Sequence, residues 1–187
     1  MINNFGLTYA KLVEVTKHSS FANKVNHSSS SSSKQKVARN TVIDTKLNSS
    51  RMPMWPPALY KHQEEGVLWM LKRELSTAFS GGLLCDEPGM GKTIQVGACM
   101  CQNPKRNNLL ILPNAVIQQW IDTLTKMIKG VNIYVHHGKT KLTDCSVLEK
   151  GGMNVVIITI AGVTKMSVFN NITWDRIIMD ECHYIKN

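Results

Sequence analysis

Asp86-Glu87-Pro88-Gly89-Met90-Gly91-Lys92-Thr93 is the segment from which the architecture of this chain can be deduced. It follows a short apolar run, Gly81–Cys85, and leads into the apolar Ile94–Met100, which is the order strand, tight loop, helix. Glycines let the backbone curl so that several N–H groups face one anion. Lys92 has the reach for the β- and γ-phosphates of a nucleotide, the Thr93 hydroxyl is a ligand for Mg²⁺, and the helix that starts here adds its N-terminal dipole. The general phosphate-loop pattern asks for glycine at position 86, where this chain has Asp86, so the loop alone is a partial match.

On either side of this segment the chain alternates strands and helices. Ala58–Leu75 is predicted as a helix with Leu59, Val67, Leu68, Met70, Leu71 and Leu75 on a broad apolar face; Gly66 weakens it by about 1 kcal/mol relative to alanine. Strands are expected at Gly82–Cys85, Asn108–Leu112, Val131–Val135, Val155–Ile160 and Arg176–Met179. Helices are expected at Gly91–Cys101 and Ala115–Ile128, with a short one at Cys145–Lys150. Near-continuous apolar strands, each followed by a helix, imply an α/β fold with a mainly parallel sheet covered on both faces. Ligands in such sheets sit beyond the carboxyl ends of the strands, where Asp86 and Asp180 both stand although 88 residues separate Lys92 from Asp180.

The 187 residues are enough for about one domain, with 43% hydrophobic and 19% charged residues. The net charge of +9 is uneven: residues 1–52 hold eight Lys/Arg against two acids, and residues 53–187 hold fourteen against eleven. Ser28–Ser33 is a pure serine run. Residues 1–52 are therefore read as a disordered, basic, serine-rich tail, compatible with nucleic acid or an acidic surface, and Pro53, Pro56 and Pro57 mark the start of the folded part. The longest uncharged run, Asn107–Ile121, is too short to span a bilayer and includes Pro113. Lys11 and Glu14 interrupt any signal-peptide core, so the chain is read as intracellular and soluble, with no membrane partner. Five scattered cysteines with no C-x-x-C pair disfavour a disulfide framework and a zinc site.

A second site lies far downstream. Ile177-Ile178-Met179 is an apolar strand that ends in the adjacent acids Asp180-Glu181. Next to a phosphate loop these acids acquire chemical roles. Asp180 is suited to hold Mg²⁺ through water, and Glu181 to polarise the water that attacks the γ-phosphate.

Taken together, these motifs resemble the first half of the motor of a Swi/Snf-family ATPase, in helicase superfamily two. That family writes its phosphate loop Asp-Glu-x-Gly-x-Gly-Lys-Thr, which makes Asp86 a family feature. Its second motif appears here as Asp180-Glu181-Cys182-His183, with Lys186 and Asn187 following. Its adenine motif corresponds to Leu59-Tyr60-Lys61-His62-Gln63, with Gly66 and Trp69 at the expected offsets. Leu109–Pro113 with Gln119-Trp120, and then Val155–Thr159, resemble the motifs between. The resemblance covers about residues 53–187 and is similar in detail to the repair-associated branch that often carries a RING insertion.

The resemblance implies a RecA-like P-loop NTPase lobe that binds ATP and Mg²⁺. It implies ATP binding by Gln63 at the adenine edge and by Asp86, Glu87, Pro88, Gly89, Met90, Gly91, Lys92 and Thr93. Mg²⁺ would be held by Thr93 and Asp180, Glu181 would be the catalytic base with Lys92 beside the reacting phosphate, and His183 would couple the nucleotide site to DNA. Pro113, Asn114 and Thr159 would touch the DNA backbone. Duplex DNA, chromatin or repair proteins, and a nuclear location follow from the family. Pro88 departs from the family, which usually has Met there, and removes one N–H from the loop. The chain stops at Asn187, so 53–187 is expected to be a partial ATP-binding domain that ends after the second motif and lacks the second motor lobe. The alternative reading is a catalytically inactive fragment that acts as a DNA- or protein-interaction module. A related RNA helicase is a third reading, against which the loop wording and Trp120 stand.

Overall fold

The structure is a computed structural model and describes residues 11–14, 46–75, 80–149, 151–165, 167–169 and 171–181. Among these, six strands form one sheet: β1 (Lys11–Glu14), β2 (Gly82–Leu84), β3 (Asn107–Leu112), β4 (Asn132–His136), β5 (Asn154–Thr159) and β6 (Arg176–Met179). Their order across the sheet is β2-β1-β6-β3-β5-β4. β6, β3, β5 and β4 are mutually parallel, and β1 runs antiparallel to both its neighbours, so β2 points the same way as the parallel four. The α/β class with a mainly parallel sheet is thus the fold.

The apolar runs are continuous because both faces of the sheet are buried. Successive side chains alternate between faces. Leu110, Leu112, Val155, Ile157 and Ile178 enter one core, while Leu109, Ile111, Val156, Ile158 and Met179 enter the other. Each fully buried aliphatic side chain contributes about 1.5–3 kcal/mol. The first core is closed by three helices, α1 (Lys61–Leu75), α2 (Lys92–Gln102) and α3 (Ile117–Met127). In α3, Ile117, Trp120, Leu124 and Met127 are buried at spacings of three and four, one stripe of a helix. The second core is closed by short 3-10 segments, Ser146–Glu149 and Ser167–Phe169, and by Trp174, whose ring meets Phe169 edge-on.

Element limits differ from the expected ones for local reasons. α1 begins at Lys61, three residues later than Ala58. The Tyr60 carbonyl accepts the N–H groups of Gln63 and Glu64, and the Gln63 Oε1 accepts the Tyr60 N–H at 3.1 Å. That return bond from the third helical residue is half of a capping box and fixes the helix start. α3 begins at Ile117 because Asn114–Val116 is a 3-10 turn entered from Pro113.

Some residues of the stretch expected as a tail are among the described ones. Lys11–Glu14 pairs with β2 and β6, second from one edge of the sheet. Just before residue 53, Gln102 at the end of α2 receives the Asn48 N–H at 2.8 Å and donates to the Asn48 and Arg51 carbonyls. Residues 1–10 and 15–45 of that stretch, including the serine run, lie outside the described residues.

Two polar systems hold the sheet at its amino end. Arg176 makes a bidentate pair with Glu74 of α1, at 2.6 and 2.8 Å, and both side chains are almost wholly buried. The remaining guanidinium donors reach Asn108 Oδ1 and the Asn103 carbonyl, and Asn103 Nδ2 donates back to Glu74. Burial alone would pull the Arg176 guanidinium down, but the Glu74 carboxylate beside it reverses that and holds it raised. Asparagines from three strands form a row: Asn154 Nδ2 donates to Asn107 Oδ1, Asn132 Nδ2 donates to Asn154 Oδ1, and Asn108 Nδ2 donates to the Asn154 carbonyl.

Register places the site. Lys11 is opposite Leu84 and Leu12 is opposite Met179, so Asp180 falls in the same row as Leu84. Asp180 donates its N–H to the Ile111 carbonyl at 3.0 Å, and Leu112 is opposite Thr159. The ends of β2, β6, β3 and β5 are therefore flush, and the loops after Leu84 and Met179 start two strand spacings apart, about 10 Å.

Candidate functional site

The loop between β2 and α2 is built by its two glycines. The Met90 N–H bonds to the Glu87 carbonyl, and Gly89 has φ +85°. Proline second and a positive-φ glycine third is the signature of a type II turn. Pro88 is thus accounted for: it stands where its ring pre-sets φ, outside the one hydrogen bond that closes the turn. Gly91 has φ +75° and precedes α2 with no side-chain cap, so the first N–H groups of the helix are not taken by a capping side chain. A Cβ at Gly89 would meet nothing within 4 Å, whereas one at Gly91 would lie 2.5 Å from Gln63 Nε2. The loop is open to solvent at Gly89 and closed against α1 at Gly91. Lys92 folds over the loop and donates its ammonium to the carbonyls of Asp86 and Glu87. Thr93 lies in the first turn of α2.

The second acid cluster is held from below. Asp180 is 4% exposed, and its Oδ2 accepts the Trp120 indole N–H at 2.8 Å. Its Oδ1 accepts the Glu181 N–H at 2.9 Å. Glu181 is exposed and has φ +54°, a left-handed conformation rare for a non-glycine residue and concentrated at functional sites. The structure therefore brings Lys92, Thr93, Asp180 and Glu181 to one end of the sheet. His183 lies outside the described residues.

Gln63 stands against the phosphate loop. Its Nε2 donates to the Met90 carbonyl at 3.4 Å while its Oε1 caps α1. Both ends of its amide are thus used by the chain itself, and reading an adenine edge would require it to exchange one of these bonds. Pro113 and Asn114 lie just past the end of β3, with Asn114 exposed. Thr159 ends β5 and lines a cavity of about 450 Å³ with His136, His137, Lys141, Thr143 and Gly162. His136 Nδ1 accepts the Leu142 N–H at 3.1 Å, and burial holds its pKa below the usual histidine range, with Lys141 acting in the same direction.

Two residues at the site are absent from the sequence-based set. Trp120 reads in sequence as packing on an apolar stripe, but its one polar atom finds Asp180. Gln95 is a fully buried amide in the first turn of α2, ahead of the apolar Val96–Met100, which is the signal that marks it. Burial raises the Cys99 thiol well above the usual range and pushes Cys101 up to about 11. Among the described residues no group of His, Cys, Asp and Glu is set to hold a metal by protein ligands alone. No described helix is long and apolar enough to cross a membrane.

Gly66 is the contact point of α1 with this site. A Cβ there would lie 1.9 Å from Gln95 Oε1 and 3.1 Å from its Cδ. Gly66→Ala gains about 1 kcal/mol of helix propensity, but it must push a fully buried amide off its partners. A net loss of about 1–2 kcal/mol is expected, seen as a lower urea midpoint. A higher midpoint would show that α1 can move aside.

Residues 62–187 match the family model of the SNF2-related domain. The chain is 35% identical over 151 residues to the ATP-dependent helicase rhp16 of Schizosaccharomyces pombe, covering 69% of this chain and 17% of that protein. It is 34% identical over 149 residues to the DNA excision repair protein ERCC-6-like of Danio rerio, covering 68% of this chain and 10% of that protein. The chain thus spans less than a fifth of the length of these relatives. Its fold is like that of the Sulfolobus solfataricus SWI2/SNF2 ATPase core in complex with dsDNA, with a TM-score of 0.61 at 24% identity over 77% of this chain and 30% of that one. With the family model matching from the first helix onward, over well more than half of its residues, the chain belongs to the SNF2-related domain family.

Proposed function

We propose that this chain is the ATP-binding lobe of a DNA-dependent ATPase that acts in DNA repair or chromatin remodelling. The observation that supports the reading best is the shared row: the Asp86–Thr93 loop and the Asp180-Glu181 pair leave the sheet at one level, two strands apart. Lys92 exchanges the Asp86 and Glu87 carbonyls for phosphate oxygens, and the N–H groups from Gly89 to Thr93 complete the cradle. The Thr93 hydroxyl and the Asp180 carboxylate are the groups that would hold Mg²⁺. When bound, the ion neutralises charge that develops on the phosphates. Trp120 keeps Asp180 in one rotamer. Glu181, turned outward by its left-handed backbone, orients and polarises the attacking water. Gln63, packed on the loop at Met90, exchanges one of its bonds for the adenine edge. His183 couples the site to DNA.

Duplex DNA is the proposed partner, met by the loops that leave the same end of the sheet at Pro113, Asn114 and Thr159. A nuclear location and repair or chromatin partners belong to this reading. Titration of a fluorescent ATP analogue into the chain and into Lys92→Ala tests it. Removing a charge-assisted phosphate contact is expected to weaken binding by about tenfold or more. Equal affinity of the two proteins would sink the reading. In that case, duplex DNA binding indifferent to nucleotide would point to an interaction module.

A further inference from the structure

We propose that Gln95 is a positioning residue for the phosphate loop, acting as a clasp between its first and fifth residues. Its side chain is fully buried in the first turn of α2. Nε2 donates to Asp86 Oδ2 at 2.7 Å and lies 3.5 Å from the Met90 carbonyl. One amide nitrogen therefore spans the point where the loop leaves β2 and the point where it enters the glycine before α2. The proposal rests on the reading that this loop binds phosphate.

The other end of the same amide shows why packing does not explain the residue. Gln95 Oε1 is buried with no hydrogen-bond partner, aimed at the space that Gly66 leaves open. A buried, unpaired oxygen is a cost, and a methionine of similar size would remove it. What only the glutamine supplies is the donor. The reversed amide would set its oxygen against the Asp86 carboxylate, so the orientation with Nε2 towards the loop is the one that bonds.

The Met90 carbonyl is where the clasp meets α1. It also receives His62 Nε2 at 3.2 Å and Gln63 Nε2 at 3.4 Å. A carbonyl oxygen has two lone pairs, so three donors share it and none is held short. The loop is thus tied at Met90 by side chains from two helices, and at Asp86 by Gln95 and Lys92, of which Lys92 turns to phosphate when nucleotide binds. Without Gln95 the Asp86 end loses its hold once Lys92 leaves the Asp86 carbonyl for phosphate, while the α1 contacts at Met90 remain. The N–H groups between the two ties then no longer converge on one anion.

The test uses the 187-residue chain with Gln95→Met, read by thermal melting and by titration of a fluorescent ATP analogue, with ATP, ADP and AMP as competitors. The expected result is a melting temperature equal to or above that of the parent, with ATP and ADP bound about tenfold more weakly and AMP much less affected. Asp86→Leu should produce a similar loss, and the double variant should be no worse than either single. Unchanged affinity in Gln95→Met overturns the proposal. So does an affinity that falls in step with the melting temperature, which would make Gln95 a packing residue. If Lys92→Ala binds as tightly as the parent, it is the phosphate reading that fails, so the two failures are told apart.

Discussion

Arg176→Met is expected to lower the unfolding free energy by about 3–5 kcal/mol, because it leaves the Glu74 carboxylate buried with no cation beside it. Arg176 and Glu74 are 1% and 2% exposed, so water cannot take the missing partner's place without opening the contact between α1 and β6. A domain of this size has about 5–15 kcal/mol in total, so the variant stands near the edge of folding. The pair itself is a different matter. Its attraction is offset by the cost of taking two charges out of water. The double variant Glu74→Met with Arg176→Met should therefore recover most of the loss, short by the bonds that Asn103 and Asn108 lose. Urea titration of the parent, both singles and the double gives the coupling directly. A double variant as unstable as the sum of the singles would show the pair to be a net source of stability.

Trp120→Phe should cost about 2–3 kcal/mol and weaken the Mg²⁺-dependent part of nucleotide binding. Phenylalanine keeps an aromatic body on the stripe of α3 but removes the N–H that reaches Asp180 Oδ2 at 2.8 Å. Asp180 then loses that donor at a buried position, and its carboxylate is no longer fixed in the rotamer shared with the Glu181 N–H. Two measurements check this: the urea midpoint, and the affinity for the ATP analogue with and without MgCl₂. The effect on affinity should appear only with the ion present. If the midpoint moves and the Mg²⁺ dependence does not, Trp120 is a core residue whose bond to Asp180 has no consequence for the site.

Both residues show where sequence runs short. β6 is legible to the residue, since Ile177–Met179 is an apolar run between Arg176 and the acids Asp180-Glu181. The phosphate loop is legible because its residues are adjacent. Arg176 is not, because a charge that opens a strand reads as solvated, and its partner Glu74 is 102 residues away. The bond from Trp120 to Asp180 spans 60 residues and joins an atom that burial patterns ignore. β1 shows weak apolar alternation in sequence, but its partners are strands near residues 83 and 178, and nothing local names them. Pro88 reads as a defect in a phosphate loop until the Glu87–Met90 bond and the φ of Gly89 show a turn that suits proline.

The asparagine row also governs how the strands align. Asn107–Leu112 and Asn154–Thr159 have cores of leucine, isoleucine and valine, so sliding one strand past the other by two residues would keep every face apolar. Such a slip would move Asn108 and Asn154, each 0% exposed, away from their cross-strand partners, at about 1–3 kcal/mol for each buried bond lost. The row at the amino end thus acts as a ruler for the far end of the sheet. By excluding the slipped pairings, it makes the strands finish level, and the phosphate loop and Asp180 inherit their spacing from it.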